Sequence, residues 1–130
     1  MIEEQYVSFE TAKLLKEKGF NEHCFCAYHE DKKELEHFSY SVNNYTAYDE
    51  WITAPTQQMA MRWLREVKEI FISTYPTETA GICAAIYKYG ATKPCMVMCK
   101  RNKHEEACEA AIKYCLENLI CCDYENVLFM

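Results

Sequence analysis

Residues 54–75 read APTQQMAMRWLREVKEIFISTY, and the change of period inside this stretch decides the fold. Pro55-Thr56 opens a helix in which Met59, Ala60, Trp63, Leu64, Val67 and then Ile70 or Phe71 recur at helical spacing. Gln58, Arg62, Arg65, Glu66 and Glu69 fall on the opposite face, so one stripe is apolar and the other polar. From Phe71 to Tyr75 the residues become β-branched and aromatic, as in a strand. An amphipathic helix running directly into a strand predicts a helix laid on a sheet.

Working toward the N-terminus, Ser8 stands in a cap position before Phe9-Glu10-Thr11-Ala12. Val7 and Ala12 are spaced for a hydrophobic staple, and Gly19 supplies a left-handed stop onto which Phe20 folds back against Leu15. These signals predict a helix over residues 9–18. Residues 23–29 and 35–40, rich in aromatics and Cys, flank the polar Glu30-Asp31-Lys32-Lys33 and predict a β-hairpin. A third strand is expected over 45–53, interrupted near Asp49-Glu50, with Asn43-Asn44 as the turn before it.

Toward the C-terminus, residues 71–75, 80–89 and 94–100 are short strand-like segments parted by Pro76-Thr77-Glu78 and Gly90-Ala91-Thr92, which predicts a three-strand meander. Asn102 with Glu105 has capping-box character, and a last helix is expected over 103–120. Its buried stripe would be Ala107, Cys108, Ala111, Ile112, Cys115 and Leu119, with Glu105, Glu109, Lys113 and Glu117 facing water. The predicted order is α-β-β-β-α-β-β-β-α, an α+β fold with antiparallel sheets packed by amphipathic helices. It is a pseudo-repeat of architecture, without sequence identity between the halves.

The 130 residues, half of them apolar, suit one domain with its own core, residues 1–130. A net charge of −6, with both halves acidic, argues against nucleic acid as a partner. The one basic cluster, Lys100, Arg101 and Lys103, reads as a solvated turn. The acidic start and the absence of any apolar run near about 18 residues predict a chain that is neither exported nor membrane-bound, with the cytoplasm as its compartment. Nine cysteines then read as reduced thiols. The last four residues do not carry the prenylation pattern, which needs Cys at the first of them.

Three segments, SFETAKLLKEKGF at 8–20, APTQQMAMRWLREV at 54–67 and EEACEAA at 105–111, together resemble a family of small uncharacterised proteins of phages and mobile elements from gut anaerobic bacteria. The resemblance lies in the helices and covers roughly a third of the chain; the strands match nothing. It implies an accessory role and brings no established activity. The family is not Cys-rich, so a cysteine-based function would belong to this chain alone.

The chemistry-bearing candidates are few. His23, Cys24, Cys26 and His29 offer four soft ligands, but strand alternation sends the two cysteines to one face and the histidines to the other. Cys95 and Cys99, the only plausible further pair, would lie roughly 13 Å apart on a straight strand. His104 and Cys108 sit one turn apart at a helix start, as a base and a nucleophile would. Cys108 nevertheless falls on the core-facing stripe, which predicts an inert thiol, and no orienting third group is visible beyond nearby Glu105. Cys121-Cys122 reads as helix-end packing, and the acidic pairs Glu3-Glu4, Asp49-Glu50 and Glu105-Glu106 as exposed turns or first helical turns. No phosphate-cradling loop and no His-Glu-x-x-His motif is present. The apolar end, Val127-Leu128-Phe129-Met130, is expected to add a strand to its own sheet or to pack on a second copy.

No catalytic, cofactor-binding or metal-binding residue is assigned, and no cofactor is called for. The expected function is that of a non-catalytic protein-binding accessory factor, through open sheet edges and some of the ten tyrosines, with another protein or a second copy of the chain as partner. Arg62, Arg65, Glu66, Tyr45 and Tyr48 are the residues expected to meet it. The competing class is a small cysteine-dependent enzyme or zinc protein, distinguished by whether polar groups converge in a pocket.

Overall fold

The caps work as the sequence asks. Ser8 Oγ accepts from the Thr11 N–H at 3.2 Å and starts α1, Phe9–Glu17. Gly19, at φ +96, ends it, and the Phe20 N–H returns to the Leu15 carbonyl at 2.9 Å with the Phe20 ring buried. Thr56 caps α2, Gln57–Val67, by accepting from the Met59 N–H at 3.1 Å. Between and after these helices run β1 (Cys24–His29), β2 (Leu35–Val42), β3 (Trp51–Thr53), β4 (Ile70–Pro76), β5 (Ile82–Lys88), β6 (Met96–Arg101) and α3 (His104–Asn118). This computed structural model describes residues 3–44 and 50–120. The order is the predicted α-β-β-β-α-β-β-β-α, an α+β fold with two three-stranded antiparallel sheets.

The two sheets are wired differently. The second is a meander, β4-β5-β6, whereas the first has the order β2-β1-β3, so β3 returns to pair with β1. Asn44 holds that return: its Oδ1 accepts from the Thr53 N–H at 3.1 Å and its Nδ2 donates to the Phe20 carbonyl at 2.7 Å. Residues 45–49 of the expected longer third strand lie outside the described residues.

The core lies between α3, α2, α1 and one face of the second sheet. Ala107, Ala111, Ile112, Cys115 and Leu116 of α3 meet Ala84 and Ile86 of β5, with Trp63 and Leu64 of α2 and Leu15 of α1. Three expectations need correction here. Met59 and Val67 of α2 are exposed, because the helix buries Gln57, Ala60, Trp63 and Leu64 and packs Met61 partly against the core. In α3, Leu116 takes the buried place expected of Leu119, which is half-buried. The cap of α3 is one residue later than predicted: Lys103 occupies it without a side-chain bond, and Glu106 rather than Glu105 reaches back, accepting from the Asn102 N–H at 3.4 Å. Among the described residues no helix is long and apolar enough to cross a membrane.

The thiols also depart from the fully reduced reading. Cys83 and Cys99 form a disulfide across β5 and β6, with a Cα–Cα distance of 4.1 Å. The others described, Cys24, Cys26, Cys95, Cys108 and Cys115, are free, and Cys95 is the exposed one.

Candidate functional site

Two helix N-termini converge on one carboxylate of a third helix. Glu109, in the second turn of α3, accepts at Oε2 from the Ser8 N–H (3.2 Å), the Ser8 hydroxyl (2.9 Å) and the Thr11 hydroxyl. Its Oε1 accepts from Gln57 Nε2 at 3.2 Å, and the same amide donates to the Glu105 carbonyl at 3.0 Å. A carboxylate at a helix N-terminus meets both unpaired N–H groups and the positive end of the dipole. Glu109 therefore ties the start of α1 and the start of α2 to α3. The expectation that it simply faces water is corrected: it is half-buried and fully engaged.

Beside this hub lies an open cleft of about 850 Å³, whose lining includes Tyr6, Gln57, Arg101, Lys103, Glu105 and Glu109. Arg101 and Lys103, read from sequence as a solvated turn, form its basic rim, while Lys100 is not part of the lining. The polar groups on its floor are bonded to one another, and the rim carries both signs of charge.

The structure brings two thiol–imidazole pairs together. Cys108 Sγ lies 3.3 Å from His104 Nε2, and His104 Nδ1 lies 3.1 Å from Thr74 Oγ1 on β4. Thr74 is an orienting third group that sequence spacing could not reveal, being 30 residues away. Burial, helped by Glu105 and Glu109, pushes the Cys108 thiol up to about 11, so at neutral pH it is protonated and poorly nucleophilic.

The second pair joins the two strands of the first hairpin. Cys26 Sγ lies 3.1 Å from His37 Nδ1 across the β1–β2 hairpin. The Tyr6 ring stands edge-on to that imidazole at 5.8 Å, and its hydroxyl is hydrogen-bonded to Cys26. That bond, with burial, pushes the Tyr6 phenol up to about 12. The signal was present in the sequence: counting outward from a turn at 30–34 pairs Tyr28 with Leu35 and Cys26 with His37.

The four-ligand stretch separates as strand geometry requires. His23 meets Ser41 and Asn43, at 3.4 Å and 3.5 Å. His29 Nδ1 accepts from the Asp31 and Lys32 N–H groups, both at 3.3 Å, with its ring edge-on to Trp51. Among the described residues no three of His, Cys, Asp and Glu gather around a common point. Cys121, Cys122, Tyr45, Tyr48 and Val127 to Met130 lie outside the described residues.

A surface of another kind is the face of the first sheet that carries His29 and Trp51. Trp51 of β3 touches Phe38 of β2 (centroids 5.3 Å) and His29 of β1 (5.0 Å), and Phe38 touches Tyr40 (5.8 Å). Tyr40 is 62% exposed and Phe25 on β1 is 61% exposed. No residue of β2 is buried, and among the described residues β2 pairs only with β1, which leaves its outer edge open there. Arg62, Arg65 and Glu66 are exposed on α2 as expected, with Arg62 Nε and Glu66 Oε1 paired at 3.0 Å.

Comparison with known proteins gave no matching family model, no matching curated protein and no matching solved structure.

Proposed function

We propose that this protein is a non-catalytic protein-binding factor that engages its partner along β2, the accessory role implied by the phage and mobile-element resemblance of its helices. The observation that carries the reading is β2 itself, an eight-residue edge strand with no buried residue, beside exposed aromatic rings. An open edge supplies unpaired backbone donors and acceptors, and rings standing on one face supply side-chain pockets; together these suit the addition of an extended segment from another chain. Aromatic side chains also carry a large share of binding energy in protein interfaces.

The test places a photo-crosslinking phenylalanine analogue at position 40 and, as control, at position 89, since Tyr89 is 73% exposed but follows β5 in the other sheet. Position 40 is expected to trap one discrete partner that position 89 does not. With that partner purified, Tyr40→Lys should weaken binding at least about tenfold, because a charge beside the edge opposes strand addition. Equal capture at both positions, or unchanged affinity of Tyr40→Lys, overturns the reading. Trapping of a second copy identifies the homodimer as the partner.

A second reading has one observation in its favour: the Cys26–His37–Tyr6 contact, which sets a base against a thiol as cysteine-dependent enzymes do. It requires Cys26, whose residue is fully buried, to alkylate faster than exposed Cys95 in the folded protein. Protection of Cys26 removes this reading and leaves the first untouched.

A further inference from the structure

The bridge between β5 and β6 sits where the ladder is irregular. Ile82 pairs with Arg101 and Ala84 with Met98, so Cys83 alone stands against both Cys99 and Lys100, a β-bulge. Lys100 takes up the extra residue at φ +67, in the left-handed region that a lysine rarely occupies, and its N–H donates to the Ala80 carbonyl at 2.7 Å. Gly81, at φ +69, lets the strands close: a Cβ there would come 2.7 Å from the Arg101 carbonyl oxygen. The bulge continues directly into Arg101 and Lys103, the basic rim of the cleft, and into the cap of α3.

The two sulfurs differ in access. Cys83 is 1% exposed, whereas Cys99 is half-buried on an edge strand. The Ala80 carbonyl lies 3.9 Å from Cys83 Sγ, so a thiol formed there would have an acceptor in place. Reduction would therefore not orphan the buried Cys83 thiol.

We propose that Cys83–Cys99 is a reversible thiol–disulfide site, opened by a dithiol through attack on Cys99, and that its state sets the order of β6 and the Arg101–Lys103 rim. One thiolate of the dithiol attacks Cys99 Sγ. The Cys83–Cys99 bond breaks, its electron pair leaves on Cys83, and Cys83 takes a proton. The second thiolate of the dithiol then attacks its own sulfur in the mixed disulfide and releases Cys99 as a thiolate, which is protonated in turn. The protein disulfide gains two electrons and two protons, and the dithiol becomes a disulfide. Opening a loop of this size removes a chain constraint, and the segment losing it is a strand that, among the described residues, pairs with β5 alone.

The experiment equilibrates the intact protein with dithiothreitol at graded ratios of its reduced and oxidised forms, followed by differential alkylation and peptide mass mapping. Hydrogen exchange is read on the two end states. Cys83 and Cys99 are expected to change together with one midpoint while the fold persists. Amides of residues 96–103 should exchange at least about tenfold faster in the reduced form, with α2 unchanged. A Cys83→Ala, Cys99→Ala double variant should match the reduced wild type in that segment. Three results overturn the proposal: both cysteines alkylating fully under oxidising conditions, reduction that proceeds only with global unfolding, or residues 96–103 exchanging alike in both states. Because wild type is compared with itself, a double variant that fails to fold leaves the test intact.

Discussion

The first sheet and the second sheet contain three strands each and follow a helix each, yet they enter the core unequally, the first through Cys24 of β1 and Ile52 of β3 and not through β2. The central strand of the second sheet, β5, has four buried residues of seven, with Ala84 and Ile86 under α3. In the first sheet β2 has none, and the exposed Tyr40 and Phe25 rings stand on strands that α3 does not cover. The difference shows that the repeated order of elements is not a repeated packing unit. The second sheet lays its central strand under α3, and the first joins the same core through β1, β3 and the N-terminal segment while β2 stays outside it. Tyr28 illustrates the attachment, its hydroxyl donating to the Val7 carbonyl at 2.6 Å and its ring edge-on to Phe9.

The largest effect that tests this division is expected in α3. Ile112 is fully buried in the core cluster with β5. Ile112→Ala removes its apolar contacts and leaves a cavity, which should cost about 2–5 kcal/mol in urea unfolding. A loss under about 1 kcal/mol would mean that the second sheet is not the centre of stability.

The parts legible in sequence are those fixed by local signals. Ser8, Gly19 and Thr56 each act within one helical turn, so the limits of α1 and α2 could be read from residues side by side. The meander was legible too, since its turns are short. The order β2-β1-β3 was not, because the pairing of Ala27 with Thr53 joins residues from opposite ends of the first sheet's sequence. Glu109 escaped for a related reason: helical period places it toward the outside of α3, and only the convergence of α1 and α2 turns that outside into a junction. The Cys83–Cys99 pairing depends on a bulge, which shifts register by one residue and has no pattern in composition.

A second, intermediate effect follows from the buried thiols. Burial pushes Cys24 on β1 up to about 11, and in α3 it pushes Cys108 up to about 11 and Cys115 up to about 12, each from an ordinary 9.0. Each thiol therefore loses its proton first in the unfolded chain. The stability they contribute is full below about pH 9 and is lost as pH rises through the folded values, because the unfolded state then binds fewer protons. Unfolding free energy should fall by on the order of 1–2 kcal/mol per thiol between about pH 9 and 11. Cys115→Ala should flatten this alkaline slope more than Cys24→Ala, since the thiol on α3 is shifted further than the one on β1. Equal slopes in wild type and both variants would place the alkaline sensitivity elsewhere.

The smallest effect sharpens the comparison most. Tyr40 is 62% exposed, touching Phe38 across 5.8 Å, and no hydrophobic core surrounds it. Tyr40→Ala should leave the unfolding free energy within about 0.5 kcal/mol of wild type, as exposed positions do when they hold no cap, charge pair or special backbone. Placed beside Ile112→Ala, it separates two uses of apolar surface in one chain: rings that no fold requires, and aliphatic groups that the fold cannot lose. If Tyr40→Ala instead cost as much as Ile112→Ala, the first sheet would share the core's cooperativity and its open strand would be a stability element. The reading of β2 as a partner's docking edge would then lose the observation on which it stands.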